Sequence, residues 1–264
     1  MAIRLEYRIV DVFSGTPLAG NALCVVVDPC PEDLQPAIAR EVNLSETTFP
    51  VVIGDGAYEV RIRTPETELP FAGHPTLGTA WVLGPGRWAQ TSEGGTVQVE
   101  ADAGGAVMEV PDPSFVEVDG AAPSAALGLP AHEEAVLADC VGMRHVVVLT
   151  DAPIGALRPD LAAVAAAARR AGGQSICVAR RIDDRTLQAR VFLPGAGIPE
   201  DPGTGSAAAP IAELARRRWG TEVDVAILQG AEVGRPGRME VHAEKGSFRV
   251  GGRVVQCATG HFTL

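Results

Sequence analysis

Glu46 lies in the segment Asn43-Leu44-Ser45-Glu46-Thr47-Thr48-Phe49, just ahead of a strand-like apolar run. A carboxylate held among apolar and hydroxyl neighbours is desolvated. Its pKa rises, and it can take a proton from carbon as a general base. The same spacing also suits a solvated glutamate at a strand start. Two further groups sit in glycine- and proline-containing turns that open helical patterns: His74 in Gly73-His74-Pro75-Thr76, and Asp201 in Asp201-Pro202-Gly203-Thr204-Gly205-Ser206. Such turns expose unpaired amides at the positive end of a helix, a local site for an anion. Glycines at 203 and 205 permit a ligand to approach the backbone. The alternative is an ordinary turn in which Thr204 or Ser206 is an N-cap. Asp201 suits either an N-cap or an acid, and His74 either a hydrogen-bonded structural role or the site.

Other chemistry is poorly supported. No G-x-x-x-x-G-K-[ST] phosphate loop exists, Gly203-x-Gly205 lacks the third glycine of a dinucleotide fingerprint, and no G-x-S-x-G nucleophile elbow appears. The five cysteines (Cys24, Cys30, Cys140, Cys177, Cys257) are odd in number and form no C-x-x-C pair, so neither disulfides nor zinc are expected. His132, His145, His242 and His261 have no metal-ligand spacing and read as structural or surface residues. Of 22 basic residues only Lys245 is a lysine, placed in an expected hairpin turn, which argues strongly against pyridoxal phosphate chemistry. The net charge of -11 argues against nucleic acid and gives no long-range steering to an anionic substrate, so any anion site must be local. There is no apolar run of membrane-spanning length, and the strand-like N-terminus lacks the apolar core of a signal peptide. A cytoplasmic protein with reduced thiols is expected.

The elements that must position these groups follow from periodicity and turn residues. Strands are expected at 7–13, 22–27, 48–53, 59–63, 97–99 and 106–110, with one helix at 33–40 and another following Gly73-His74-Pro75-Thr76 through about 83. A second set follows: strands at 145–149, 175–179, 186–192, 224–228, 238–241, 247–251 and 254–258, with helices at 160–170 and 205–217. The segment 111–126 reads as a linker. Arg61-Ile-Arg-Thr-Pro65 resembles Arg190-Val-Phe-Leu-Pro194, and each precedes one of the two helix-opening turns. An internal duplication follows, with His74 and Asp201 in equivalent places and two helix entrances able to face one cleft.

The ordered motifs are recognisable. Asp11-Val-Phe13, Gly20-Asn21, Leu44 to Phe49, Arg63-Thr-Pro65, Glu68 to Ala80, Gly197 to Ala207, Gln229-Gly230, Gly234-Arg-Pro236 and Val250-Gly-Gly252 resemble the PhzF-like isomerase family over nearly the whole chain. The resemblance implies an α+β protein of the diaminopimelate epimerase fold, two pseudo-symmetric lobes each with a sheet around a central helix. It suggests an N-terminal lobe over 1–115, completed by a strand at about 252–264, and a second lobe over 116–251. In epimerases of this fold two cysteines at paired helix entrances move the proton. Here those places look to be His74 and Asp201, so two-thiol racemisation is not expected. The family pattern gives the proton-moving role to Glu46, places His74, Asp201 and Ser206 around the substrate, and has Gly73, Thr76, Gly203, Thr204 and Gly205 bind it. It implies a cofactor-independent isomerase acting on a small carboxylate metabolite, as in phenazine-type or alkylproline-type antibiotic pathways, and a homodimer. Departures are small: Ala22 where the family often has Pro, and Gly203 where it has Ala. The alternatives are an epimerase or racemase of an amino-acid-like compound, and a non-catalytic binder on the same fold.

Overall fold

The computed structural model describes residues 3–130, 133–194 and 198–264; His132, Gly197 and the first two residues of the N-terminus, used above, lie outside them. The chain divides into two compact units, Met1–Glu109 with Gly251–Leu264, and Val110–Val250.

In the first unit β1 (Arg4–Val12) runs antiparallel to β2 (Asn21–Val26), and α1 (Gln35–Val42) crosses over to β3 (Glu46–Gly54), which is parallel to β2. β4 (Ala57–Arg63) returns antiparallel, and β5 (Glu68–Leu69) leads into α2 (Gly73–Leu83). That helix crosses to β6 (Gly86–Ser92), parallel to β4, followed by antiparallel β7 (Gly95–Ala101) and β8 (Gly105–Pro111). Parallel pairs need such crossovers, and both are helical here. Every residue of α2 from Gly73 to Ala80, and Val82, is buried, as befits a helix enclosed by sheet. Gly78 is what lets it fit. A Cβ there would lie 2.6 Å from Leu23 Cδ2 and 2.9 Å from Val12 Cγ2. The outer face is covered by α1, where Ile38 joins Leu5, Cys24, Val26 and Phe49.

The second unit repeats the order. β9 (Ser114–Glu117) and α3 (Ala121–Leu127) precede β10 (Glu134–Cys140), antiparallel to β11 (Met143–Leu149). Then α4 (Leu161–Arg170) crosses to β12 (Ser175–Asp183), parallel to β11. β13 (Thr186–Leu193) and β14 (Ile198–Asp201) lead into the buried α5 (Gly205–Trp219), which crosses to β15 (Asp224–Gln229), parallel to β13. β16 (Gly237–Ala243) follows antiparallel, and β17 (Ser247–Thr263) runs on into the first unit to pair with β1. Outside this sheet, α3 and α4 pack over Val146, Val148, Ile176, Val178 and Phe192.

The duplication is therefore structural. Residue-level equivalence follows from the parallel pairs: Leu23 sits opposite Glu46, and His145 sits opposite Ser175. Ser175 thus occupies the place of Glu46, and His145 that of Leu23. Arg61 and Arg190 are also equivalent; each makes a two-pronged ion pair, with Glu68 (2.9 and 3.0 Å) and Glu200 (2.8 and 2.7 Å). One correspondence read from sequence is corrected. His74 is the second residue of α2, and the second residue of α5 is Ser206; Asp201 instead ends β14, ahead of the helix.

Two other expectations change. The segment 111–126 is no linker: Phe115 and Val116 pair with β10, and Ala121–Leu127 is a helix that tolerates Pro123 in its first turn and stops at left-handed Gly128. The expected break at Gly251-Gly252 is absent. β17 is continuous, because these glycines serve close approach: a Cβ on Gly251 would lie 2.6 Å from the Ala106 carbonyl oxygen.

Candidate active site

In the first unit the start of β3 and the entrance of α2 bring Glu46 and His74 together. Glu46 is 8% and His74 3% exposed, and His74 Nε2 lies 3.2 Å from Glu46 Oε2. The two groups are in reach but not aligned as a full hydrogen bond. Asn21, the first residue of β2, donates through Nδ2 to His74 Nδ1 at 3.0 Å. Burial pushes His74 down to about 3, against a backbone hydrogen bond with Ala22 that favours protonation. His74 is neutral at pH 7, so the contact is not a carboxylate–imidazolium pair. Ser45 Oγ approaches Asn21 Oδ1 at 3.5 Å, which ties the residue before Glu46 to the same cluster.

Thr76, expected at the substrate, is turned to other work. Its hydroxyl donates to the Ala72 carbonyl at 2.8 Å and accepts from Gln90 Nε2 at 2.8 Å, and it is fully buried. Gln90 in turn accepts from the Tyr58 hydroxyl at 2.8 Å. Neither α2 nor α5 has a side-chain cap. The N-cap role considered for Thr204, Ser206 or Asp201 is therefore absent, and the first-turn amides at Gly73, His74, Gly205 and Ser206 have no carbonyl one turn back within their helices.

In the second unit Thr204, at the N-cap position, donates its hydroxyl to Asp201 Oδ2. Gln229 fixes the turn. Its Nε2 donates to the Asp201 carbonyl at 2.8 Å and to Thr204 Oγ1 at 3.0 Å, and its Oε1 accepts from the Thr204 amide at 3.3 Å. Asp201 and Ser206 are 7% and 4% exposed, and Gly203 and Gly205 are buried beside them. Ser206 Oγ lies 3.0 Å from His145 Nε2, whose Nδ1 lies 2.7 Å from Ser175 Oγ. Burial pushes His145 down to about 4.

A family profile for PhzC-PhzF, phenazine biosynthesis-like protein, matches residues 10–260. The chain belongs to this family. It is 39% identical, over 93% of its length and 92% of the relative's, to the trans-2,3-dihydro-3-hydroxyanthranilate isomerase of Pseudomonas aeruginosa. A crystal structure of a PhzF-family phenazine biosynthesis protein from Enterococcus faecalis superposes with a TM-score of 0.82 at 28% identity, covering 99% of this chain and 100% of that one. A hydroxyproline epimerase from Agrobacterium vitis shares the fold alone, with a TM-score of 0.67 at 12% identity, over 99% of this chain and 91% of that one.

As a PhzC-PhzF member the chain is an isomerase of α+β, epimerase-like fold. None of its five cysteines is a residue of α2 or α5 or of the turns that open them. Cys24, Cys140 and Cys177 are buried on strands, and burial pushes each up to about 12. No described helix is long and apolar enough to cross a membrane. Sequence reasoning passed over Asn21, Gln229 and the chain of His145 and Ser175 as site residues. Asn21 and Gln229 stood inside quoted motifs. His145 had no local signal, because its partners are 30 and 61 residues away.

Proposed function

We propose that this isomerase moves a proton on a small carboxylate-bearing metabolite with no cofactor. Glu46 is the base: it removes a proton from one carbon, and Glu46 or a neighbouring group returns a proton at another carbon, so that a double bond shifts and the formula is unchanged. His74, neutral and held by Asn21, lies beside that carboxylate to position it or to pass on its proton. Asp201 and Ser206 are carried into the same reading as substrate-contacting groups, with the uncapped amides at Gly73, Gly205 and Ser206 and the backbone at Gly203 and Thr204 as carboxylate donors. Burial suits the chemistry, since a dry site strengthens each of these interactions. A secondary-metabolite pathway, a cytoplasmic location and a homodimer belong to the same proposal.

The observation that carries it is the 3.2 Å approach of two buried groups, Glu46 and His74, at an uncapped helix entrance. The relatives' name supplies the probe. In deuterium oxide the wild type is expected to introduce deuterium into trans-2,3-dihydro-3-hydroxyanthranilate with a change in ultraviolet absorbance, and Glu46→Gln to bind it but leave it unlabelled. Labelling at the wild-type rate in that variant would remove Glu46 from the mechanism. Inversion of an amino-acid-like compound without any absorbance change would favour the epimerase reading.

A further inference from the structure

His145, Ser175 and Ser206 form a hydrogen-bonded chain across three elements of the second unit: β11, the start of β12, and the first turn of α5. The histidine and Ser175 are fully buried, Ser206 nearly so. Cys177 closes the far end, its Sγ 3.7 Å from Ser175 Oγ, and its thiol is held protonated by burial. Nothing in the proposed reaction calls on the imidazole, yet a buried ring with both nitrogens engaged fixes what its partners can do.

The geometry points to His145 as the positioning residue of Ser206. The inference rests on the reading in which Ser206 meets the substrate. A neutral imidazole donates from one nitrogen and accepts at the other. If Nε2 carries the proton, it donates to Ser206 Oγ, and the Ser206 hydroxyl is released to donate elsewhere while Ser175 donates to Nδ1. With the proton on Nδ1, Ser206 donates inward and offers its lone pairs outward. The two serines must therefore point the same way along the chain, and the ring allows Ser206 two defined orientations. No charge is created in either. Partners that orient metal-ligating groups change activity by about 10- to 100-fold when removed, and a loss on that scale is expected for a partner that orients Ser206.

The internal duplication supports the assignment independently. In the first unit the second residue of the central helix, His74, is held by a side chain from the neighbouring strand, Asn21 on β2. In the second unit the second residue of the central helix is Ser206, and its holder comes from the matching strand β11. Each entrance thus has an imidazole, at the helix itself in one unit and one hydrogen bond behind it in the other.

The test compares wild type, Ser206→Ala, His145→Gln and the double variant by deuterium uptake into trans-2,3-dihydro-3-hydroxyanthranilate. Each single variant is expected to lower kcat about 10- to 100-fold with KM nearly unchanged, and the double variant to be no slower than Ser206→Ala. If His145→Gln costs as much in the Ser206→Ala background as in the wild type, the inference falls and the Ser206 assignment stands. If Ser206→Ala alone leaves kcat unchanged, the place of Ser206 in the reaction falls instead. Side-chain nitrogen NMR needs no turnover and covers a His145 variant that does not fold. Ser206→Ala should move the Nε2 resonance of His145, and Ser175→Ala should shift its tautomer balance. Unmoved resonances in both variants would overturn the coupling.

Discussion

The two units run the same order of strands and crossover helices, and they spend that order on different chemistry. At the first residue of the strand beside the inner helix, one unit has Glu46 and the other Ser175. One strand over, Leu23 in the first unit is matched by His145 in the second. The first unit therefore has a carboxylate touching an imidazole, and the second a hydroxyl–imidazole–hydroxyl chain with Asp201 held apart in its own turn by Thr204 and Gln229. A duplicated fold that moves a proton with two matched thiols needs two matched ends. This chain has unmatched ends, which suits a proton taken from one carbon and placed on another more than it suits inversion at a single centre.

The largest effect expected bears directly on that asymmetry. Glu46→Gln should lower kcat by about 10²- to 10⁴-fold, the range for loss of a general base, while Ser175→Ala lowers it far less. Equal losses in steady-state rates would erase the distinction between the units. Next come the equivalent arginines. Arg190 is 4% exposed and also donates to the Ile154 and Leu157 carbonyls at 2.9 and 3.0 Å, so Arg190→Ala leaves Glu200, whose side chain is 11% exposed, without this partner and should cost about 3 kcal/mol. The side chain of Arg61 is 38% exposed and pairs with Glu68 and Glu32 near the surface, so Arg61→Ala should cost about 1 kcal/mol or less. Urea unfolding of the two variants separates these outcomes. Gly78→Ala drives a methyl into Leu23 and Val12 and should cost about 1–3 kcal/mol, eased by Leu23→Val.

Near neutrality the effect of pH is mild, and it grows as the pH falls. His74 and His145 have folded pKa values of about 3 and about 4, below the 6.5 of an ordinary histidine, so the unfolded chain binds more protons in that window. Stability is complete above about 6.5 and is lost as pH falls from there toward 3 and 4, with a loss on the order of 1 kcal/mol by pH 6. Denaturant midpoints between pH 8 and 5 measure it. Replacing one histidine by leucine should remove its share of the slope, and an unchanged slope in both variants would mean that neither ring is neutral in the fold.

Local pattern made much of this legible. Strand runs bounded by glycine and proline placed most of the sheet, and α5 was marked at its first residue, Gly205, while α2 begins within the Gly73-His74-Pro75-Thr76 turn rather than after it. The weakest apolar alternation hid β6, where Arg87-Trp88-Ala89-Gln90-Thr91 reads as surface, and β10, where a strand follows two glutamates. The approach of Glu46 to His74 was anticipated through motif resemblance more than through spacing. What no local reading supplied was register. Thr76 looks like a ligand-binding hydroxyl until Gln90 is seen opposite Tyr58, and His145 looks idle until the parallel pair sets it against Ser175. Pairing across tens of residues decides which polar side chains are already engaged.

One connection has a consequence for how the chain is made. Strand β1 is synthesised before the whole of the second unit, and its neighbour β17 is completed only after it. The second unit, contiguous from Val110 to Val250, is fully synthesised while the first still lacks its closing strand. Maturation should then run against the usual amino-first order of synthesis, with the portion holding Glu46 and His74 sealed only once the strand beyond Val250 has been made. Until that moment the edge of β1 is open to wrong pairings, a hazard that nascent-chain protease sensitivity would report.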